Sequence, residues 1–201
     1  TINTYGEDVE SVGYKIRSLE DKSLIENTEV SGYQVTDNKI NVTLNIKNLL
    51  DTGKEYALEV VLKTKKHDAV YYYTRIMYGT DYDLQKKLDF VRDFNACTFD
   101  SARLKDIGGY LETSSVGDNT NYGKVNINCS LSQIGWGDLE PYIESEITPE
   151  IISINDDVAI IRLDYRVGAA NDYSSSDTYN VNEYYRIRQT NSGFYLLNFE
   201  R

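Results

Sequence analysis

Histidine, cysteine and uninterrupted apolar sequence are all scarce in this 201-residue chain, and each scarcity removes a class of function. One histidine, His67, and two cysteines, Cys97 and Cys129, are too few for a His/Cys metal site. Two cysteines also cannot build a disulfide framework. One bridge between them is conceivable, but Cys97 falls in a helical stretch, and the pair reads as free, buried thiols. No segment approaches the ~18 apolar residues of a membrane span. No signal peptide is read, and an opening at Thr1 rather than Met is expected where a natural leader or anchor has been trimmed away. Attachment to a membrane through such a segment stays open. Basic charge is short as well: 21 Lys+Arg against 32 Asp+Glu give −11, a field that repels phosphate backbones and disfavours nucleic acid. No nucleophile elbow, phosphate loop or dinucleotide fingerprint occurs, so no cofactor is expected.

What is abundant is tyrosine, 18 copies against 5 Phe and 1 Trp. An apolar ring with a polar tip suits half-buried sheet faces, or a contact surface. The charge is uneven too: residues 1–80 hold 10 basic and 12 acidic side chains, residues 81–201 hold 11 and 20, so the second part carries −9.

The apolar period changes along the chain. Ile40, Val42, Leu44 and Ile46 alternate with polar residues, as do Tyr56, Leu58, Val60 and Leu62, and residues 70–76 (VYYYTRI) read as a further strand. Weaker strand signals lie at 12–18 and 24–35, with turns at Asp37–Asn38, at 51–53 and at His67–Asp68. Past residue 80, Leu84, Leu88 and Val91, with Phe90 and Phe94, fit a helix that Thr80 or Asp81 caps. A second helix starts near Asp100 and carries Leu104, Ile107 and Leu111. There follow a polar loop at 114–122, a short strand at 125–129, a third helix at 137–145, and strands at 150–155, 158–167, 179–188 and 194–199, with a polar hairpin tip at 170–177. The expected division is 1–79 and 80–201.

Two resemblances follow. Leu50, Gly53 and Tyr56 before alternating apolars resemble the tyrosine corner of fibronectin type III and immunoglobulin-like β-sandwiches, with Thr52 in place of the usual proline. The resemblance implies that Tyr56 bonds back to upstream backbone. Over 81–201, the element order and the closing hairpin EYYRIRQTNSGFYLLNFER resemble the NTF2-like (cystatin-like cone) α+β domain. That resemblance implies a cone with a pocket between sheet and helices, used by isomerases, dehydratases, binding modules and oligomerisation domains alike.

The candidate site residues come from that second part. Enzymatic NTF2-like members place an Asp or Asp–His pair in the pocket, and no His lies here. Asp156–Asp157 and Asp138–Glu140 read as turn and capping carboxylates. Asp164 alternates with Leu163 and Tyr165, so it belongs either to an outer Asp–Arg lattice with Arg162, Arg166, Arg186 and Arg188, or to a charged pocket floor. Leu163, Tyr165, Tyr185 and Ile187 point inward. Trp136, between glycines, is either a core anchor or a ligand contact at the pocket rim. Trp136, Tyr165 and Tyr185 are the candidate ligand-binding residues.

The two-domain plan, with its Tyr- and Asn-rich strands, resembles uncharacterised extracytoplasmic proteins of Gram-positive bacteria, often membrane-tethered. It implies a cell-surface location without implying a function. Two binding-type folds with no readable catalytic group lead to the expectation of a non-enzymatic binding or scaffold module, recognising a small molecule or protein partner or forming a homodimer. A pocket-based acid–base enzyme, using Asp164, Tyr165 or Tyr185, is the alternative.

Overall fold

The computed structural model describes residues 1–47, 50–79, 81–111, 117–170 and 177–201. Thr80 as a cap, most of the hairpin tip at 170–177 and part of the loop at 114–122 lie outside those residues. Strands outweigh helices and pair antiparallel throughout, and the chain divides into two compact units, Thr1–Thr80 and Asp81–Arg201.

In the first unit, β1 (Ile2–Asn3), β5 (Lys39–Asn41) and β4 (Gln34–Thr36) form one sheet. β3 (Leu24–Glu29), β2 (Val9–Ser18), β6 (Glu55–Thr64) and β7 (Val70–Met77) form another, in that order. Ile40 of the small sheet packs with Val12 and Leu62 of the large one, so the two sheets share a core. The alternation drives this: Tyr56, Leu58 and Leu62 are buried on one face of β6. Asp37 and Asn38 both take positive φ (49° and 62°), the geometry of a tight hairpin turn, and these are residues that tolerate it.

The expected strand at 40–46 is shorter. Pairing stops at Asn41, although Val42 and Leu44 still pack on the core, while Ile46 is exposed. Side chains of the neighbouring sheet take over the backbone beyond it. Glu26 Oε2 accepts from Lys47 N–H at 3.0 Å, and the Tyr14 hydroxyl lies 2.7 Å from the Asn45 carbonyl. The 24–35 stretch likewise splits between two sheets rather than running as one strand.

The second unit lays helices on one face of a five-stranded sheet. Helix α1 (Leu84–Thr98) and a 3-10 helix (Leu104–Tyr110) pack with β10 (Val158–Ala169), β11 (Asp177–Thr190) and β12 (Gly193–Glu200) around Val91, Phe94, Ile107, Leu163, Tyr185 and Phe199. β12, β11 and β10 pair in sequence, and β8 (Tyr142–Ile143) and β9 (Thr148–Ile154) share the far edge of β10. Inward alternation is strict: Ile161, Leu163, Tyr165 and Val167 are buried on β10, and Val181, Glu183, Tyr185 and Ile187 on β11.

Three details differ from the sequence expectation. The 125–129 stretch pairs with the end of the chain only by a bridge, Asn126 to Glu200, with Val125 and Arg201 exchanging both backbone bonds. The third helix is not at 137–145 but at Leu131–Ile134 (α2), where the Ser130 side chain accepts from Gln133 N–H at 3.2 Å. Trp136, Gly137 and Glu140 take positive φ and Pro141 follows, so a helix cannot continue there. At α1, Asp81 contributes its carbonyl to Leu84 N–H, and Asp83 occupies the cap position without a side-chain cap bond. The Asp83 carboxylate is instead held by Lys86 and Gln189.

Candidate functional site

A pocket of about 750 Å³ opens in the second unit, walled by Trp136, Leu139, Tyr122, Val181, Tyr184 and Arg201. Loop geometry sets the Trp136 wall. Trp136 sits at φ 69° and Gly137 at φ 52°. Left-handed backbone at a bulky residue costs about 1–3 kcal/mol and persists only where the surroundings impose it. Glycine suits position 137, where the backbone is left-handed and an added side chain would have to displace the Tyr122 hydroxyl. The Trp136 ring is held between Phe99, 5.5 Å away, and the Arg201 guanidinium, 3.5 Å above the ring centroid. It is only 4% exposed, so it forms the wall of the pocket rather than its rim.

Behind that wall lies a buried polar cluster that residue pattern alone did not single out. Glu183 is completely buried and Arg201 nearly so, with 3.6 Å between Arg201 Nη1 and Glu183 Oε1. Glu183 Oε2 accepts from Asn95 Nδ2 at 2.8 Å and from the Tyr185 hydroxyl at 2.7 Å. Asn95, on the inner face of α1, also donates to the Tyr165 hydroxyl at 3.1 Å. Arg201 donates to the carbonyls of Ile134 and Gln133, both at 3.0 Å, which pins it to the end of α2. Burial, and next the Glu183 charge, push both tyrosine hydroxyls well above the ordinary phenol range. Burial pulls Arg201 below its usual value, while Glu183 opposes the shift.

Three atoms of this assembly have no hydrogen-bond partner among the described residues: Trp136 Nε1, Arg201 Nε and Glu183 Oε1. Each such buried group costs about 1–3 kcal/mol. Two of them are donors on residues that line the pocket, though both atoms lie beneath its surface.

The sequence candidates separate in space. Trp136 lines the pocket; Tyr165 and Tyr185 do not, and instead pack in the core (4% and 0% exposed) and support Glu183 and Asn95. Leu163 and Ile187 face the same core, with Leu88, Val91 and Leu104. Asp164 lies on the opposite face, where it accepts from Arg162 Nε at 2.9 Å and from Asn182, beside a shallower groove of about 430 Å³. Its ionic partner is Arg162 rather than Arg186, and Arg162 also reaches Glu150 at 2.6 Å. His67 is exposed in the β6–β7 turn, and Asp156 and Asp157 are exposed in the β9–β10 turn.

A second buried cation is structural. Lys87 is fully buried and donates to the carbonyls of Tyr82, Asn155 and Asp156 at 2.5–2.8 Å, tying the start of α1 to the β9–β10 turn. Burial lowers its pKa, against the pull of Asp83, Asp156 and Asp157. Cys97 and Cys129 are both buried and unpaired. Among the described residues, no group of three or more His, Cys, Asp or Glu is placed to hold a metal ion, and no helix is long and apolar enough to cross a membrane.

No protein-family model matches the chain, and no curated protein matches it.

Proposed function

We propose that this is a non-enzymatic binding or scaffold module of an extracytoplasmic bacterial surface protein, with recognition by the pocket beside Trp136 and Arg201. The observation that carries the reading is a pocket of about 750 Å³, within the size range of ligand sites, lined by aromatic residues together with Lys124. A ligand with an apolar face and an acceptor oxygen for Lys124 fits that lining. Tyr179 and Tyr184, half-exposed on the pocket wall, add aromatic contact area. In this reading Tyr165 and Tyr185 act at one remove, by holding Glu183, which in turn holds Arg201 beneath the ligand.

The domain types belong to the same proposal. An immunoglobulin- or fibronectin-like first unit is supported by the bond from Asp51 N–H to the Tyr56 hydroxyl, 2.8 Å, the link a tyrosine corner requires. An NTF2-like second unit is supported by helices on one face of a strongly paired antiparallel sheet. The surface location rests on the resemblance in composition.

One feature favours the acid–base reading: Glu183 is a buried carboxylate with an unsatisfied oxygen. Against it, Glu183 does not line the pocket, and the tyrosine hydroxyls are pushed away from the range where they exchange protons at neutral pH.

The test is a ligand-observed screen of small amides, carboxylates and sugars, with hits followed on the single indole N–H resonance of Trp136. Hits that move this resonance and weaken in Tyr184→Ala are expected. A screen in which no compound moves it would overturn the reading. Chemical conversion of a bound hit, lost in Glu183→Gln, would transfer support to the enzyme.

A further inference from the structure

We propose that the outer face of the second unit's sheet is a separate interaction surface, where Arg186 and Arg188 bind an extended acidic polypeptide segment with carboxylates at alternate positions. The inward alternation of Val181, Glu183, Tyr185 and Ile187 turns Tyr184, Arg186 and Arg188 of β11 to the opposite face, and all three are exposed. Among the described residues, neither arginine side chain has an ion-pair or hydrogen-bond partner.

The strand register explains why. Across β10, Arg186 stands beside Ile160 and Arg188 beside Val158. Across β12, they stand beside Asn198 and Tyr195. None of these four neighbours is charged. The outward carboxylates of the adjacent strands are engaged elsewhere: Arg162 reaches Asp164 at 2.9 Å and Glu150 at 2.6 Å, and Glu200 accepts from Asn198 at 2.9 Å. Two like charges on one face of one strand repel each other, and a bound dianion relieves that repulsion. Residues 81–201 hold 20 acidic against 11 basic side chains, so this uncompensated pair is a local site of opposite sign on an acidic unit.

Spacing selects the occupant. Two residues of a strand step about 6.7 Å, and side chains two apart on an extended peptide share one side with the same step. Carboxylates at i and i+2 therefore meet the two guanidinium groups in register. Each guanidinium fork takes a carboxylate through two parallel hydrogen bonds, the means by which arginine clusters recognise acidic motifs. Tyr184 and Tyr195, 40% and 46% exposed, border the pair and offer apolar contact to the rest of the segment.

The probe is acetyl-TEVEYT-amide. Acetyl-TQVQYT-amide is its uncharged form, and acetyl-TEEVYT-amide places the two carboxylates on opposite sides. At about 50 mM salt, where surface charges are weakly screened, the probe is expected to shift amide resonances at 184–188 and 194–198. The Trp136 indole should stay unmoved, which separates this face from the pocket. The uncharged form should lose at least about tenfold in affinity, as should the probe on protein carrying Arg186→Gln and Arg188→Gln, and the adjacent-carboxylate form about threefold. Both substitutions lie at exposed positions and should leave the urea midpoint of the second unit unchanged. Absence of these shifts, or binding that survives in the uncharged form or the double variant, overturns the proposal. Equal binding by the two acidic forms overturns the alternating register. Glutarate binding as tightly as the probe assigns the face to small dianions, and tighter binding of trigalacturonate assigns it to an acidic glycan. Self-association abolished in the double variant assigns it to a second copy. Each of these three outcomes overturns recognition of a foreign peptide.

Discussion

Each unit buries one glutamate beside a tyrosine hydroxyl, and the two clusters end differently. In the first unit Glu26 accepts from Tyr14 at 2.6 Å, from Thr28 at 2.8 Å and from the Lys47 backbone at 3.0 Å, so both oxygens are engaged. The cluster replaces strand pairing where β5 ends. In the second unit Glu183 engages one oxygen with Asn95 and Tyr185, leaves the other without a hydrogen bond, and relies on Arg201 for charge balance. Fully satisfied polar clusters fix a fold, whereas a partly satisfied one beside a cavity stores unmet bonding capacity. The contrast locates the candidate site in the second unit on physical grounds.

The largest expected effect tests the buried pair. Arg201→Ala leaves the Glu183 carboxylate buried without a countercharge and should destabilise the second unit by about 4–5 kcal/mol. Urea unfolding followed by Trp136 emission reads this unit alone, since the chain has 1 Trp. A loss below about 1 kcal/mol would mean that water already reaches Glu183, and the contrast between the clusters would collapse.

Tyr165→Ala comes next. The ring is 4% exposed and lies 6.1 Å from Phe99, in the packed core. Truncation should cost about 3–4 kcal/mol by the same measurement. A cost under about 1.5 kcal/mol would place Tyr165 against a hydrated cavity and restore it as a ligand contact.

The smallest effect belongs to the first unit. Tyr56→Phe removes the acceptor for Asp51 N–H and should cost about 1 kcal/mol. Amide exchange should show faster opening of β2 and β6, with the second unit unchanged. Equal loss of protection in both units would deny that they open independently.

Much of this molecule was legible along the chain. Strict alternation placed Leu163, Tyr165, Tyr185 and Ile187 on one face, because period two has only two solutions and one face must be apolar. The same parity put Glu183 inward, between Val181 and Tyr185, and the row of apolar neighbours masked it. Counting parity for charged residues as well as for apolar ones would have found it. Asn95 and Lys87 carried no comparable signal, since a polar residue on an apolar helix face is silent until its partner is known.

By itself the sequence determined the long strands and the first helix, which side of each is apolar, and where turns can bend, because these depend on neighbours a few residues apart; it misplaced the third helix and the short strands at 40–46 and 125–129. Only the tertiary structure decided that Arg201, Glu183, Asn95 and Trp136 meet, and that residues 125–127 lie along the end of β12. Those outcomes join distant residues, as Asn95 and Glu183, 88 positions apart, show. They are settled by chain closure and by the cost of leaving buried polar groups unpaired, and neither quantity is written in any local stretch of sequence.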